Sequence, residues 1–329
     1  MQLIFKVIGG FLLPFLLTYY YMPKYIKKAR EKNIVGIDVN KPHHPVVPEM
    51  GGIVPVLALV ITYLIYIVAF PNFTTYIVVT LFLMLAGAFF GMLDDIFAFT
   101  YKDHILAMFF AAAIALALLH HYIYFSTKVY IPFLGWVNFG LAYWLLMLLW
   151  LVFVPNAVNI YALFNGLEAG TMLIIATFLL PAMILLHSPP AVIALDVAFI
   201  GALLGFFLYN KYPAQVFPGD VGTLGLGAVL ASVAMLGKVE AIAAMMMLLY
   251  FLQFFLLLAR AAKRIKDSRH PIVLDDGRLL PPSYDPYKVM YLLLKIKPMT
   301  EKEAVYYLLL LQLIISAAVL GILLLSLAL

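Results

Sequence analysis

The chain has 329 residues, 66% hydrophobic and 11% charged, with a formal net charge of +5. So few polar residues cannot cover a water-soluble globule, which leaves an integral membrane protein in contact with the lipid bilayer. Cysteine is absent, which excludes disulfides, thiol catalysis and cysteine-ligated metals and leaves the redox compartment open.

Apolar stretches long enough to cross about 30 Å of hydrocarbon fall near 3–22, 52–70, 75–93, 104–122, 141–159, 171–187, 191–209, 222–237, 240–260 and 303–325. They predict an all-α polytopic protein of about ten transmembrane helices, a single domain over 1–329 with long loops near 23–51 and 260–302. The first stretch follows only Lys6 and leads into Tyr and Pro, so it reads as a retained helix rather than a signal peptide. Residues 120–139 alternate enough to predict a short hairpin at the opposite end of the bundle, its Tyr and Trp suited to the headgroup region.

Alternate loops, at 23–51, 94–103, 156–170, 210–221 and 260–302, hold 6, 1, 0, 1 and 10 of the 21 Lys and Arg, or 18 in all. Basic residues mark the cytoplasmic side, so these loops are expected there and both termini outside. Basic residues are not interleaved with aromatics, so no nucleic-acid surface is expected. Fourteen of the 16 acidic residues fall on the same side, the others being Glu240 and Asp196. Asp196 is expected to hold a hydrogen bond near the opposite interface. An alternating-access transporter would instead place coupling carboxylates near the midplane.

In chain order, the first polar block is "PHHPVVPEMGG" (42–52), whose His43 and His44 lack metal-ligand spacing and read as a hydrated loop. Asp94 and Asp95, in "GMLDDIFAF", repel one another at a helix end and call for a cationic partner unless simply solvated. Consecutive helical residues point about 100° apart, so divided roles are expected. In "NAVNIYALFNGLEAG" (156–170), Asn156 and Asn159 share a helix face, where their amide oxygens would suit a hard cation. Asn165, Gly166, Glu168 and Gly170 form a turn that can approach a ligand closely, although interhelical hydrogen bonding would also account for the asparagines. "FPGDVGTLGLG" (217–227) joins Asp220 to a glycine-rich helix start, a setting for phosphate oxygens and Mg²⁺.

"GIDVNK", "PEMGG", "GMLDD", "NAVNIYALFNGLEAG" and "GDVGTLGLG" together resemble, in order and spacing, the polyprenyl-phosphate N-acetylhexosamine-1-phosphate transferases. The form "FNGLEAG" is most similar to the branch holding the eukaryotic UDP-GlcNAc:dolichyl-phosphate GlcNAc-1-phosphate transferase and its archaeal relatives. The resemblance implies transfer of N-acetylglucosamine-1-phosphate from UDP-GlcNAc to a polyprenyl or dolichyl phosphate at the cytoplasmic face, with release of UMP. The product would start lipid-linked oligosaccharide synthesis for protein N-glycosylation, with Mg²⁺ as cofactor and Mn²⁺ as a substitute. It further implies Asp94 and Asp95 as the catalytic pair, Asn159 and Asp220 at the metal, and Glu49 near the nucleotide-sugar. Asn156, Asn165, Glu168, Lys102, Arg269 and His270 would contact substrate, Lys102 and Arg269 neutralising diphosphate oxygens. Ala98 departs from the family's polar residue after the acidic pair, and "SRHP" carries only one arginine and one histidine of its basic last-loop motif. A bacterial-type relative using UDP-MurNAc-pentapeptide or another UDP-amino sugar, a secondary transporter and a structural scaffold are the competing readings. Whether the chain forms a homodimer is not written in it.

Overall fold

The computed structural model describes residues 2–122, 125–268 and 270–329, so Arg269 lies outside the described residues. Twelve α-helices dominate them: α1 (Gln2–Glu31), α2 (Ile53–Ala69), α3 (Thr74–Phe97), α4 (Tyr101–Tyr122), α5 (Leu141–Tyr161), α6 (Leu167–Leu185), α7 (Pro190–Asn210), α8 (Gly219–Leu236), α9 (Glu240–Met246), α10 (Leu248–Ala262), α11 (Val289–Ile296) and α12 (Glu301–Ala328).

The ten apolar windows all fall on helices, but the count of ten spans is not reproduced. Among the described residues seven helices are long and apolar enough to cross a membrane, or eight if α9 and α10, bent by 68°, form one span. Helix α2 is apolar but only 17 residues long, cut off where Pro71 opens a new turn. The break after α9 divides what the sequence presents as one continuous apolar run.

Short strands add to the expected all-helical fold. Strands β1 (Val35–Ile37) and β2 (Val46–Pro48) pair antiparallel, with Gly36 opposite Val47. The hairpin expected within 120–139 forms from β3 (Lys128–Ile131) and β4 (Gly135–Asn138), with Tyr130 opposite Trp136. In the last long loop β5 (Ile272–Val273), β6 (Arg278–Leu280) and β7 (Met299–Thr300) make a small antiparallel sheet.

Helix α8 is the axis of the bundle: every residue from Val221 to Leu236 is buried. Its glycines and alanines let neighbouring backbones approach closely, the means by which membrane helices gain van der Waals contact without a hydrophobic driving force. Helices α3 and α5 pack along it, α1 packs on α7, and the ends of α3, α5 and the beginnings of α6, α8 and α12 meet at one end of the bundle. At the opposite end Lys238 donates to the Ser126 carbonyl just before β3 and to Tyr143 OH at 2.8 Å, and Tyr143 donates to the buried Glu240 at 2.6 Å, so the approach to the β3–β4 hairpin is tied to the bundle. Asp196 corrects an expectation: it is fully buried in α7, and neither carboxyl oxygen has a hydrogen-bond partner among the described residues.

Candidate active site

Helix α3 delivers the acidic pair in its last turn, where Ala98, in left-handed conformation at φ 52°, stops the helix and reverses the chain into α4. The two carboxylates then diverge. Asp95 uses both oxygens on the start of α8, accepting the amide of Asp220 at 2.8 Å and that of Val221 at 3.1 Å. It thus satisfies two of the amides that any helix start leaves free and adds a negative charge at the positive dipole end. Asp94 accepts from the Phe99 amide through one oxygen and meets His104 Nε2 at 3.1 Å with the other.

Asp220 reaches the same place from α8. Gly91 makes this possible, since a Cβ there would lie 2.2 Å from the Asp220 carbonyl oxygen; Gly219 supplies the positive φ of 66° that turns the chain into the helix. The Asp220 carboxyl accepts Asn159 Nδ2 at 2.7 Å, and the same amide nitrogen reaches Thr223 Oγ1 at 2.9 Å. Asn159 therefore turns its amide nitrogen, rather than its carbonyl oxygen, toward Asp220. Asn156, one turn earlier, instead donates to Val152 O of its own helix at 2.8 Å.

Asp94 and Asp220 bring carboxyl oxygens to within 4.8 Å of one another, where the repulsion of two ionised carboxylates is relieved by a proton or a cation. Asp94, His104 and Asp220 bring one ligand atom each to within 4.8 Å of one another. Two carboxylates, an amide oxygen and an imidazole fit a divalent cation by charge and donor type.

Glu49 joins this centre from the first long loop. The segment around it is pinned to the α8 approach by three backbone bonds: Phe217 N to Pro48 O, Gly51 N to Phe217 O and Gly52 N to Pro218 O, each 2.8 Å. Tyr25 OH also donates to the Glu49 carbonyl at 2.7 Å. Burial pushes the Glu49 carboxyl above its ordinary value, and it lies within electrostatic reach of Asp95.

Asn165 sits in a separate, buried network. Its side chain accepts Lys41 Nζ at 2.7 Å and the Ala214 amide at 2.8 Å and donates to Asp38 at 3.2 Å; its backbone amide bonds Glu301 at 2.8 Å. Lys41 closes the ring through Asp38 and, at 3.0 Å, Glu301. Four chain segments meet here, with Glu168 buried beside them in the first turn of α6, facing Asn210. His270 is exposed in the last loop, and Lys102 is exposed in the first turn of α4. The last loop is anchored by buried Asp285, which accepts the Ser268 amide and hydroxyl, both at 2.9 Å.

The residues that sequence reasoning missed are His104, Asp38, Lys41, Glu301 and Asp285. Asp38 and Lys41 stood within the quoted "GIDVNK" without a role. Glu301 follows Thr300, whose side chain forms a capping box with Glu303, so the spacing Thr-x-x-Glu marked that helix start. No local pattern marked His104 or Asp285.

A family profile described as Glycosyl transferase family 4 matches residues 75–238, which takes in Asp94, Asp95, Asn159 and Asp220. Two archaeal proteins, each described as a putative UDP-N-acetylglucosamine–dolichyl-phosphate N-acetylglucosaminephosphotransferase, are similar to the chain. That of Saccharolobus solfataricus is 29% identical over 309 residues, 92% of each chain. That of Sulfolobus acidocaldarius is 31% identical over 285 residues, 84% of this chain and 83% of the relative. The phospho-N-acetylmuramoyl-pentapeptide-transferase of Bacillus subtilis is 30% identical over 257 residues, 72% of this chain and 76% of the relative.

Proposed function

The chain belongs to glycosyl transferase family 4, and from that premise we propose that it transfers N-acetylglucosamine-1-phosphate from UDP-GlcNAc to a polyprenyl phosphate of the dolichyl type. A lipid-phosphate oxygen attacks the phosphorus that carries the sugar, the bond from that phosphorus to the bridging oxygen breaks, and UMP leaves. The lipid-diphosphate sugar would then enter lipid-linked oligosaccharide synthesis for N-glycosylation. The observation that carries this reading is the convergence of Asp94, Asp220 and Asn159 at one end of a membrane bundle, donors of the kind a divalent cation takes.

Asp94, Asp220 and the Asn159 carbonyl oxygen would hold Mg²⁺, or Mn²⁺ in its place. When bound, that cation supplies Lewis-acid neutralisation of the diphosphate. The chain's own contribution is positioning, which is most of what phosphoryl transfer asks of a protein. Asp95 holds the start of α8 and thereby sets where Asp220 stands. Asp94, beside the cation site, orients the lipid phosphate; a phosphate monoester with a second pKa of about 6 is already mostly dianionic at pH 7, so no proton need be removed. Glu49 would lie near the nucleotide-sugar, Lys102 and Arg269 would neutralise diphosphate oxygens, and His270 of the last loop would contact substrate beside them. The end that carries the site is assigned to the cytoplasm on the charge asymmetry.

The muramoyl-pentapeptide relative favours a second reading, with UDP-MurNAc-pentapeptide as donor. Against it stands the extent of likeness to the archaeal relative, which takes in 92% of the chain rather than 72%. Purified protein given each labelled UDP-sugar with polyprenyl phosphates of differing saturation separates the two. Organic-extractable label and UMP are expected from UDP-GlcNAc, and UDP as the sole nucleotide product would make the protein an ordinary glycosyltransferase.

A further inference from the structure

We propose that His104 is a direct nitrogen ligand of the cation held by Asp94 and Asp220, and that it tunes this site toward Mn²⁺ relative to an all-oxygen set. The inference rests on the reading of Asp94 and Asp220 as cation ligands given above. His104 lies in the first turn of α4 and is 5% exposed. It is brought over Asp94 by a reversal of only three residues: Ala98 takes a left-handed conformation, Phe99 donates to Asp94, and Thr100 caps the new helix on Asp103 through bonds of 2.9 and 2.7 Å. Asp103 is thereby occupied with its own turn, and His104 is the side chain of this helix start that faces the cluster.

The cluster goes beyond a simple ion pair. Its third member is a carboxylate from a different helix: His104, Asp94 and Asp220 all place a ligand atom within 4.8 Å of one another, whereas an Asp–His pair needs no second carboxylate. The 3.1 Å between Asp94 Oδ2 and His104 Nε2 is the distance of an ion pair and equally of neighbouring ligands on an octahedral ion with bonds of about 2.1 Å, so the spacing accommodates a cation without rearrangement. The donor set also has a consequence. Mg²⁺ favours oxygen throughout, while affinity for a nitrogen donor rises along the first transition series from Mn²⁺ onward, so an imidazole at this position discriminates between the two ions.

The remaining described histidines lie elsewhere. His43, His44 and His270 are exposed on loops, His120 and His121 lie in the last turn of α4, and His187 follows α6, all away from the site. Histidine nitrogen next to the bound ion is therefore a signature of His104.

The test uses the purified full chain loaded with less than one equivalent of Mn²⁺ and read by pulsed EPR for ¹⁴N coupling. Nitrogen coupling is expected in the wild type, replaced by a ¹⁵N pattern when the protein is grown on ¹⁵N-histidine, which needs no substitution and no assumption about folding. His104→Gln should still bind Mn²⁺ through the two carboxylates, with the coupling lost and with Mg²⁺ displacing Mn²⁺ at a lower ratio than in the wild type. Bound Mn²⁺ without ¹⁵N-histidine coupling in the wild type, or ¹⁵N-histidine coupling that persists in His104→Gln, overturns the assignment while leaving the carboxylate site standing. Mn²⁺ bound as tightly by Asp220→Asn as by the wild type removes the cation site itself.

Discussion

The adjacent pair Asp94 and Asp95 shows how little adjacency says about role. Both oxygens of Asp95 are taken by amides of α8, whereas Asp94 faces a histidine and a second carboxylate. The substitutions should therefore separate. Asp95→Ala removes the acceptor at a helix start, worth about 0.5–2 kcal/mol, and should lower both thermal stability and activity; Asp94→Asn should lose activity with little change in melting temperature. Equal loss of stability in the two variants would remove the distinction. At the metal, Asp220→Asn deletes a charge while keeping size, so turnover should collapse. Asn159→Ala should be rescued more by raised Mg²⁺, because water replaces a neutral ligand readily. A rate-against-Mg²⁺ titration of both variants decides this, and near-normal metal dependence in Asp220→Asn would sink the assignment.

Between elements, the site depends on how closely α3 and α8 approach. A methyl group at residue 91 would meet the Asp220 carbonyl oxygen at 2.2 Å and the Val221 amide at 2.6 Å. Both are backbone atoms that cannot rotate aside, so Gly91→Ala should cost about 1–3 kcal/mol by overpacking. It should also cut turnover although it touches no proposed ligand side chain. Circular dichroism melts alongside the assay check this, and unaltered kinetics would mean the contact tolerates displacement. In the last loop, burial opposes ionisation of Asp285, but the Ser268 amide and hydroxyl, the Tyr287 amide and the Arg260 guanidinium outweigh it and hold the carboxyl below its ordinary value. A depressed carboxylate stabilises the fold above the unfolded value of about 3.9 and loses that contribution as pH falls through the folded value. Asp285→Asn should therefore be less stable than the wild type at neutral pH and flatter in acid. Parallel acid limbs in thermal melts of the two proteins would show that Asp285 does not carry the dependence.

At the scale of the whole molecule, the basic residues predict which end faces the cytoplasm. Ser126, exposed just before β3, and Asp275, exposed in the last loop, lie in loops expected on opposite faces. Ser268, in the same loop, is buried and bonded to Asp285 and is a poor reporter. Single cysteines at 126 and 275 in this cysteine-free chain should react with impermeant reagents from opposite sides of sealed vesicles. Reaction of both from one side would invert the assignment of the loops.

Helix positions, membrane character and the grouping of polar blocks at one end were readable from the chain because they depend on local composition: run length against bilayer thickness, and the side on which charge accumulates. The motif blocks around Asp94, Asn159 and Asp220 were equally legible as blocks. What each side chain does within them was decided only by the tertiary structure. Lys41 finds its partners 124 and 260 positions away, at Asn165 and Glu301, and Asp95 is committed to a helix 125 positions away. His104 had no pattern to announce it, since one imidazole in an apolar helix looks the same whether it faces lipid or a carboxylate pair. The bend between α9 and α10 was likewise hidden, because both halves are equally apolar and hydropathy carries no information about direction. Hydrogen-bond partnership and helix direction are set by which surfaces meet, and that is a property of the packed bundle.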